Sequence, residues 1–265
     1  MQNQQPDENT FTSKTIAEYQ AMAAQYETSF EIMPYRTHIE EYSVMQAIQA
    51  TGGVAGREVL DVACGTGHYT RLFRQQGASR VAGVDLSPEM IEVARQLEAA
   101  APMGGISYEV QDATALDLPM SFDLAVGVYL LHYAPSEASL QQMCRAIARH
   151  LRPGGHMVAY TLHPDFCTSP GYYEQYKIRL SSSLKMDNGE ICTFALLFPE
   201  GWTAPITMYY WSREVLTGAL QQAGFSDVQW QSPQVSPDGR EQYGSELWQA
   251  YMDCPHCVVL TATKQ

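Results

Sequence analysis

Between residues 58 and 163 short, continuous apolar runs alternate with amphipathic stretches, and no other feature of the sequence restricts the fold as much. EVLDVAC (58–64), RVAGVDLS (80–87), ISYEVQDA (106–113), FDLAVGVYL (122–130) and HMVAYTLH (156–163) read as strands. HYTRLFRQQGA (68–78), PEMIEVARQLEAAA (88–101) and SEASLQQMCRAIARHLRPGG (136–155) read as helices, the middle one with Ser87 as N-cap and Pro88 in its first turn. A strand apolar on both sides must be covered on both sides, and helices between such strands supply the cover. The expected fold is therefore α/β, a doubly wound, mostly parallel sheet.

Outside that stretch the pattern changes twice. Residues 16–30, IAEYQAMAAQYETSF, carry Ile16, Tyr19, Ala23 and Tyr26 at helical spacing, and a second helix over roughly 35–51 is stopped by Gly52-Gly53. After His163 the rhythm lapses. KIRLSSSLKM (177–186) and EICTFALLF (190–198) flank Asp187-Asn188-Gly189, a strong hairpin-turn signal. It resumes with a helix capped by Ser212, then GFSDVQWQS (224–232) and CVVLTATK (257–264), an antiparallel closing pair separated by a stretch with little helical periodicity. The chain thus divides into an N-terminal helical cap (1–50), an α/β core (51–163), an insertion (164–211) and a closing helix with strands (212–265).

Sixteen basic residues against 29 acidic ones leave a net charge of −13, which repels a phosphate backbone and argues against a nucleic-acid or anionic-membrane partner. The first ten residues lack the basic and apolar regions of a signal peptide, and no run is long and apolar enough to span a bilayer, so a cytoplasmic location is expected. Six cysteines are scattered except for Cys254-Pro-His-Cys257, which has no second ligand pair to complete a zinc site, and no metal is expected.

Ligands of open α/β sheets sit beyond the carboxyl ends of the strands, where Asp61, Gly65 and Gly67 fall at the end of the first. Asp85, at the end of the second, stands where a carboxylate can accept both hydroxyls of a ribose. The dinucleotide pattern GxGxxG fails, because Thr70 holds the place of the third glycine. An acidic strand end suits a ligand with a ribose, no phosphates and positive charge.

DVACGTG, GVDLSPEMIEVAR, VQDATALDLP, FDLAVGVYLLHY and LRPGG, in that order, resemble the motifs of class I S-adenosylmethionine-dependent methyltransferases over roughly residues 15–163. The resemblance implies a Rossmann-like, seven-stranded sheet and S-adenosyl-L-methionine as cofactor. It implies that Ala63, Gly65 and Gly67 line the methionine moiety, that Asp61 orients its amino group, and that Asp85 holds the ribose with Leu86 and Met90 beside it. Asp112 would bond the adenine amino group, Ala113 would offer its N–H to the ring, and the carbonyl near Val128 or Tyr129 would face the methionine amine. An N-terminal helix in this class often closes over the cofactor with a tyrosine near its carboxylate, a place for Tyr26; the alternative is a core-facing aromatic stripe shared with Tyr19. The tail, TMYYWSREVLTGALQQAGF with QSPQVSPDG, ELWQAY and VVLTATK, resembles the toxoflavin-synthase-like branch of small-molecule methyltransferases of secondary metabolism.

Methyl transfer is an in-line displacement at a carbon already activated by a sulfonium, so alignment and a dry pocket are the main demands on the protein. An alcohol or acidic N–H acceptor also needs a base. His132 at the end of the fourth strand and His163 at the end of the fifth are the histidines so placed; His132 reads equally as a loop histidine, and His163, followed by Pro164, reads rather as one. His132, Tyr129 and Tyr26 are the candidate catalytic side chains. Arg36 reads as a solvated surface arginine, with a carboxylate partner as the alternative. Tyr172, Tyr173, Tyr176, Phe194, Phe198, Trp202, Tyr209, Tyr210 and Trp211 make the insertion aromatic, as a wall for a flat acceptor, a minor core or a dimer interface. The reading is N-methylation, or O-methylation, of a small planar heterocyclic metabolite by a monomer or homodimer. Its alternatives are C-methylation of a quinone-like or lipid acceptor and a non-catalytic cofactor-binding protein.

Overall fold

The computed structural model describes residues 26–203 and 205–265; most of the first expected helix, with Tyr19, lies outside the described residues. Described helices begin with α1 (Thr28–Ile32), a π-helical turn (Arg36–Glu41) and α2 (Tyr42–Ala50). The alternating core follows as β1 (Glu58–Val62), α3 (His68–Gln75), β2 (Arg80–Asp85), α4 (Pro88–Ala100), β3 (Ile106–Val110), β4 (Phe122–Val128), α5 (Glu137–Arg149) and β5 (Leu151–Leu162). Side chains expected to cap do so: Ser87 Oγ accepts the Met90 N–H at 3.3 Å, and Ser212 Oγ accepts the Val215 N–H at 3.4 Å; Ser136, not singled out in the sequence, likewise accepts the Ser139 N–H at 3.1 Å.

The chain then builds a separate antiparallel sheet from β6 (Ile178–Ser181), β7 (Ile191–Phe198), β8 (Gly201–Trp202) and β9 (Ile206–Tyr209), and closes with α6 (Arg213–Gln222), β10 (Phe225–Gln231), α7 (Pro237–Asp253) and β11 (Cys257–Lys264). The main sheet has seven strands in the order β10-β11-β5-β4-β1-β2-β3. β11 runs antiparallel between β5 and β10, while β1 to β5 are mutually parallel. The expected doubly wound, mostly parallel, seven-stranded sheet is what the chain forms. Its order reverses between β1 and β4, so the crevice beyond their carboxyl ends is the natural ligand position.

Alternation along β1 explains both faces. Leu60 and Val62 join Ala125, Leu140, Ile147 and Leu220 on one side, and Val59 joins Val44, Ile48, Phe73 and Val126 on the other. Each such valine, leucine, isoleucine or phenylalanine contributes about 1.5–3 kcal/mol on burial. A third core, holding Met33, Tyr35, Ile39, Phe194, Met208, Trp248 and Tyr251, joins the N-terminal helices to the antiparallel sheet and α7.

Two local expectations are corrected. The stretch after β10 contains a helix, α7, capped by Ser236, whose Oγ accepts the Gly239 N–H at 3.0 Å. Gly244 breaks it with φ 75° and ψ 156°, which resets the helical phase and hides the periodicity. The Asp187–Gly189 turn forms, with the Glu190 N–H donating to the Asp187 carbonyl at 3.0 Å and Gly189 at φ +80°. The preceding strand, however, pairs only over Ile178–Ser181, so the turn ends a longer loop.

Candidate active site

The loop leaving β1 is built from left-handed residues: Ala63 at φ +63°, Gly65 at φ +54° and Gly67 at φ +83°. Glycine meets that conformation without strain, whereas an alanine there costs about 1–2 kcal/mol. The two glycines differ in purpose. A Cβ on Gly65 would meet only Tyr26, at 3.7 Å, beside the cavity described below, but one on Gly67 would lie 2.4 Å from the Tyr108 hydroxyl. Gly67 therefore allows α3 to start hard against β3, and the cavity lining does not include it.

Asp85, at the end of β2, fastens this loop. Its Oδ2 accepts the Gly65 N–H at 2.8 Å and its Oδ1 accepts the Ser87 N–H at 2.9 Å, while burial raises its pKa. The backbone N–H groups of Ser87, Gly65 and Leu86 favour its charged form and oppose that rise. Asp61 is 1% exposed and lies behind the lining, accepting the Thr70 Oγ1–H at 2.6 Å. Burial lifts its pKa to about 7, opposed by the Thr70 hydrogen bond and assisted by the charge of Asp85.

Above these groups opens a cleft of about 1120 Å³, counting its mouth. Ala63 and Gly65 form its floor; Asp85, Leu86 and Met90 come from β2 and the start of α4. Asp112 and Ala113 follow β3, Val128 and Tyr129 end β4, and Tyr26 closes one side. Asp112 holds its own turn, its Oδ1 accepting both the N–H and the hydroxyl of Thr114 at 2.8 Å. Ser139, Gln142 and Met143 of α5, which sequence reasoning did not name, supply the opposite wall.

A much smaller recess shares Tyr26, Tyr129 and Tyr133 with the large cleft. Phe194 and Leu196 of β7, with Ile206 and Met208 of β9, line its far side. Other insertion aromatics hold the architecture. Tyr172, Tyr173 and Tyr176 donate to the carbonyls of Ala250, Cys254 and Leu247, and Trp211 Nε1–H donates to the Ala134 carbonyl at 3.2 Å.

Beneath both cavities lies a buried polar network. Arg36, expected on the surface, is 1% exposed and pairs at 3.0 Å with Glu40, which is fully buried. Burial opposes the guanidinium charge, but the Glu40 carboxylate together with the Tyr26, Tyr35 and Tyr129 hydroxyls outweighs it, so the Arg36 pKa is raised. Glu40 also accepts the hydroxyls of Tyr69 at 3.1 Å and Tyr129 at 2.8 Å. With its own proton on Glu40, Tyr129 Oη receives Nε2–H of His256 at 3.3 Å, and His256 Nδ1 accepts the Tyr251 hydroxyl at 2.7 Å. Tyr129 itself is left-handed, at φ +58°. Sequence reasoning missed Glu40 and His256. The available signal was that Arg36 and Glu40 continue, at helical spacing, the stripe of Val44, Ala47 and Ile48, an ion pair on an apolar face.

His132 is 2% exposed and lies off both linings. Its Nδ1 accepts the Leu162 N–H at 3.3 Å, so the neutral ring carries its proton on Nε2, and burial lowers its pKa to about 3. His163 Nδ1 accepts the Asp165 N–H at 2.9 Å, and His68 Nε2 pairs with Glu41 at 2.7 Å while its ring stacks on Phe30. Among the described residues no three metal-ligating side chains converge, and no helix is long and apolar enough to cross a membrane.

A cleft of this size, floored by bare backbone and carrying carboxylates at the ends of β2 and β3, fits an adenosine bearing a cationic amino acid. Residues 59–155 match the family model described as "Methyltransferase domain". The chain is 31% identical over 188 residues to a demethylmenaquinone methyltransferase of Tropheryma whipplei, covering 69% of this chain and 72% of that one. It is 28% identical over 158 residues to a ubiquinone biosynthesis O-methyltransferase of Photorhabdus laumondii, covering 58% of this chain but only 63%, under two thirds, of that relative. A crystal structure of an S-adenosylmethionine-dependent methyltransferase from Mesorhizobium loti, 26% identical, superposes with a TM-score of 0.59 over 83% of this chain and 96% of that one. Strand order, cleft and relatives agree, and the chain belongs to the class I S-adenosylmethionine-dependent methyltransferases.

Proposed function

We propose that the protein methylates a nitrogen, or less readily an oxygen, of a small planar heterocyclic metabolite. The observation that carries this reading is a cleft acidic at the strand ends with a compact aromatic recess beside it, the two sharing Tyr26, Tyr129 and Tyr133. Bound S-adenosylmethionine supplies an electrophilic methyl group on its sulfonium. The chain's own residues align and dry the reactants. Asp85 offers its remaining lone pairs to the ribose hydroxyls, with Leu86 and Met90 packing beside it. Asp112 takes the adenine amino group, and Ala113 gives its N–H to the ring. Ala63 and Gly65 admit the methionine moiety. Asp61, from behind the loop, draws the amino group electrostatically, and the Val128 or Tyr129 carbonyl faces it. Tyr26 borders both cavities near the carboxylate end.

His132 presents a donor, Nε2–H, and is not in the state of a proton acceptor; the Tyr129 hydroxyl is spent on Glu40. Both observations favour an acceptor nitrogen that reacts through its lone pair and needs no base. In this reading the helices before residue 51 cap the cofactor, and the 164–211 insertion faces the acceptor, as in the toxoflavin-synthase-like branch. The enzyme works in the cytoplasm as a monomer or homodimer, without a nucleic-acid partner, a setting supported by its net charge of −13. A second reading, O- or C-methylation of a quinone-like ring, is favoured by what the curated relatives are named for.

Calorimetric titration tests the cofactor assignment. S-adenosylmethionine is expected to bind and NADH not to, and Asp85→Ala is expected to weaken binding at least tenfold, about 1.4 kcal/mol. Preference for NADH, or an unchanged Asp85→Ala variant, would defeat the proposal.

A further inference from the structure

The Cys254-Pro-His-Cys257 motif takes no part in the cleft, and the fold gives its two thiols different surroundings. Cys257 begins β11 and is 1% exposed, packed in the core that holds Val128 and Tyr160. Cys254 follows α7 and is half-buried, and its neighbour is Cys167, half-buried in the loop after β5. One buried hydroxyl holds the two backbones together. Tyr173, 2% exposed, accepts the Cys167 N–H at 2.8 Å on its Oη and donates to the Cys254 carbonyl at 2.9 Å. Cys254 Sγ lies 4.0 Å from the same oxygen, donates to the Asp165 carbonyl at 3.5 Å and is in hydrogen-bonding contact with the Cys167 thiol. All six cysteines are free; Cys64, Cys144, Cys192 and Cys257 are buried, so the two that solvent reaches are the two that stand together.

We propose that Cys167 and Cys254 are a reversible disulfide site that staples the start of the insertion to the end of α7. This goes beyond the methyltransferase reading and does not depend on it. The oxidant is a peroxide: the S–S bond forms as two S–H bonds break, and the two protons and two electrons pass to hydrogen peroxide, whose O–O bond breaks to leave two waters. A dithiol reductant reverses the step by thiol–disulfide exchange and is itself oxidised to a disulfide. Two cysteines can be bridged without backbone movement only where the chain already holds them close. Tyr173 does that here, so the remaining movement is a turn of two short side chains. Burial and the neighbouring Cys167 raise the Cys254 pKa, opposed by the Tyr173 hydrogen bond, which makes this a site for sustained oxidation and not a fast nucleophile.

The test uses the full chain, reduced and then freed of reductant. It is treated with hydrogen peroxide at millimolar concentration, alkylated, digested without reduction and mapped by mass spectrometry. One intramolecular link between the peptides that hold Cys167 and Cys254 is expected, and dithiothreitol should remove it. Because the bond closes the chain from residue 167 to residue 254, the oxidised protein should unfold at least about 5 °C above the reduced one. Cys167→Ser and Cys254→Ser should each abolish both the link and the shift, and either variant suffices if the other does not fold. A link between Cys254 and Cys257, a link between two molecules, or sulfinic acid at either residue without a link would overturn the inference. So would no reaction at all, or a linked protein that unfolds at the same or a lower temperature. None of these outcomes bears on methyl transfer, which the calorimetric titration tests separately.

Discussion

Asp61 lies behind the cleft with a carboxyl whose ionisation burial opposes. Unfolded, its carboxyl titrates near the usual aspartate value of about 3.9, and folded at about 7, so between those values the folded protein holds the extra proton. Its contribution to stability is therefore full below about pH 4 and declines as pH rises through 7. Urea titrations at pH 5 and pH 8 should show Asp61→Asn gaining about 2–3 kcal/mol on the wild type between the two; parallel curves would contradict the burial argument. A second substitution separates the loop glycines. Gly67→Ala, which drives a methyl into the Tyr108 ring, should cost about 3 kcal/mol in thermal unfolding, whereas Gly65→Ala should cost about 1 kcal/mol and chiefly weaken cofactor binding. The places of Asp85, Leu86, Met90 and Asp112 around the cleft were legible in the sequence because strand ends and their loops are local. Arg36 and Glu40 were not, because a charged pair inside a helix reads as surface until its stripe is compared with its neighbours. The place of His132 was legible, but its tautomer was not, since that depends on the backbone N–H of Leu162, thirty residues away.

At the level of elements, the five parallel strands and their helices were readable because each carries its own periodicity and punctuation. The α7 helix was not, since Gly244 splits its apolar stripe between two phases. That glycine makes a specific demand. At φ 75° and ψ 156° it occupies a region that L residues avoid, yet a Cβ there would meet no atom within 4 Å. Gly244→Ala should therefore cost about 1–3 kcal/mol from backbone strain alone, read as a lower urea midpoint with an unchanged slope. A neutral substitution would mean that the kink straightens readily. The segment before α2 is tied to the loop after β1 and to α3: Glu27 accepts from the Thr66 hydroxyl and pairs with Arg71 at 2.8 Å.

For the whole molecule, the net charge of −13 surrounds the cleft with a field that favours cations. S-adenosylmethionine carries net positive charge and S-adenosylhomocysteine does not. Stopped-flow association rates for the first should fall severalfold between about 20 mM and 500 mM salt and stay nearly flat for the second; identical salt dependence would show that the field does not reach the site. The antiparallel sheet of β6 to β9 has a further consequence. Its strands pair only with one another, so the side chains it sets around the smaller recess, Phe194, Leu196, Ile206 and Met208, stand on strands hydrogen-bonded independently of those that carry Asp61 and Asp85. Mutation can thus reshape what the enzyme recognises without first disturbing its methyl-donor half, and a lineage carrying this architecture can change substrates by drift in one small sheet.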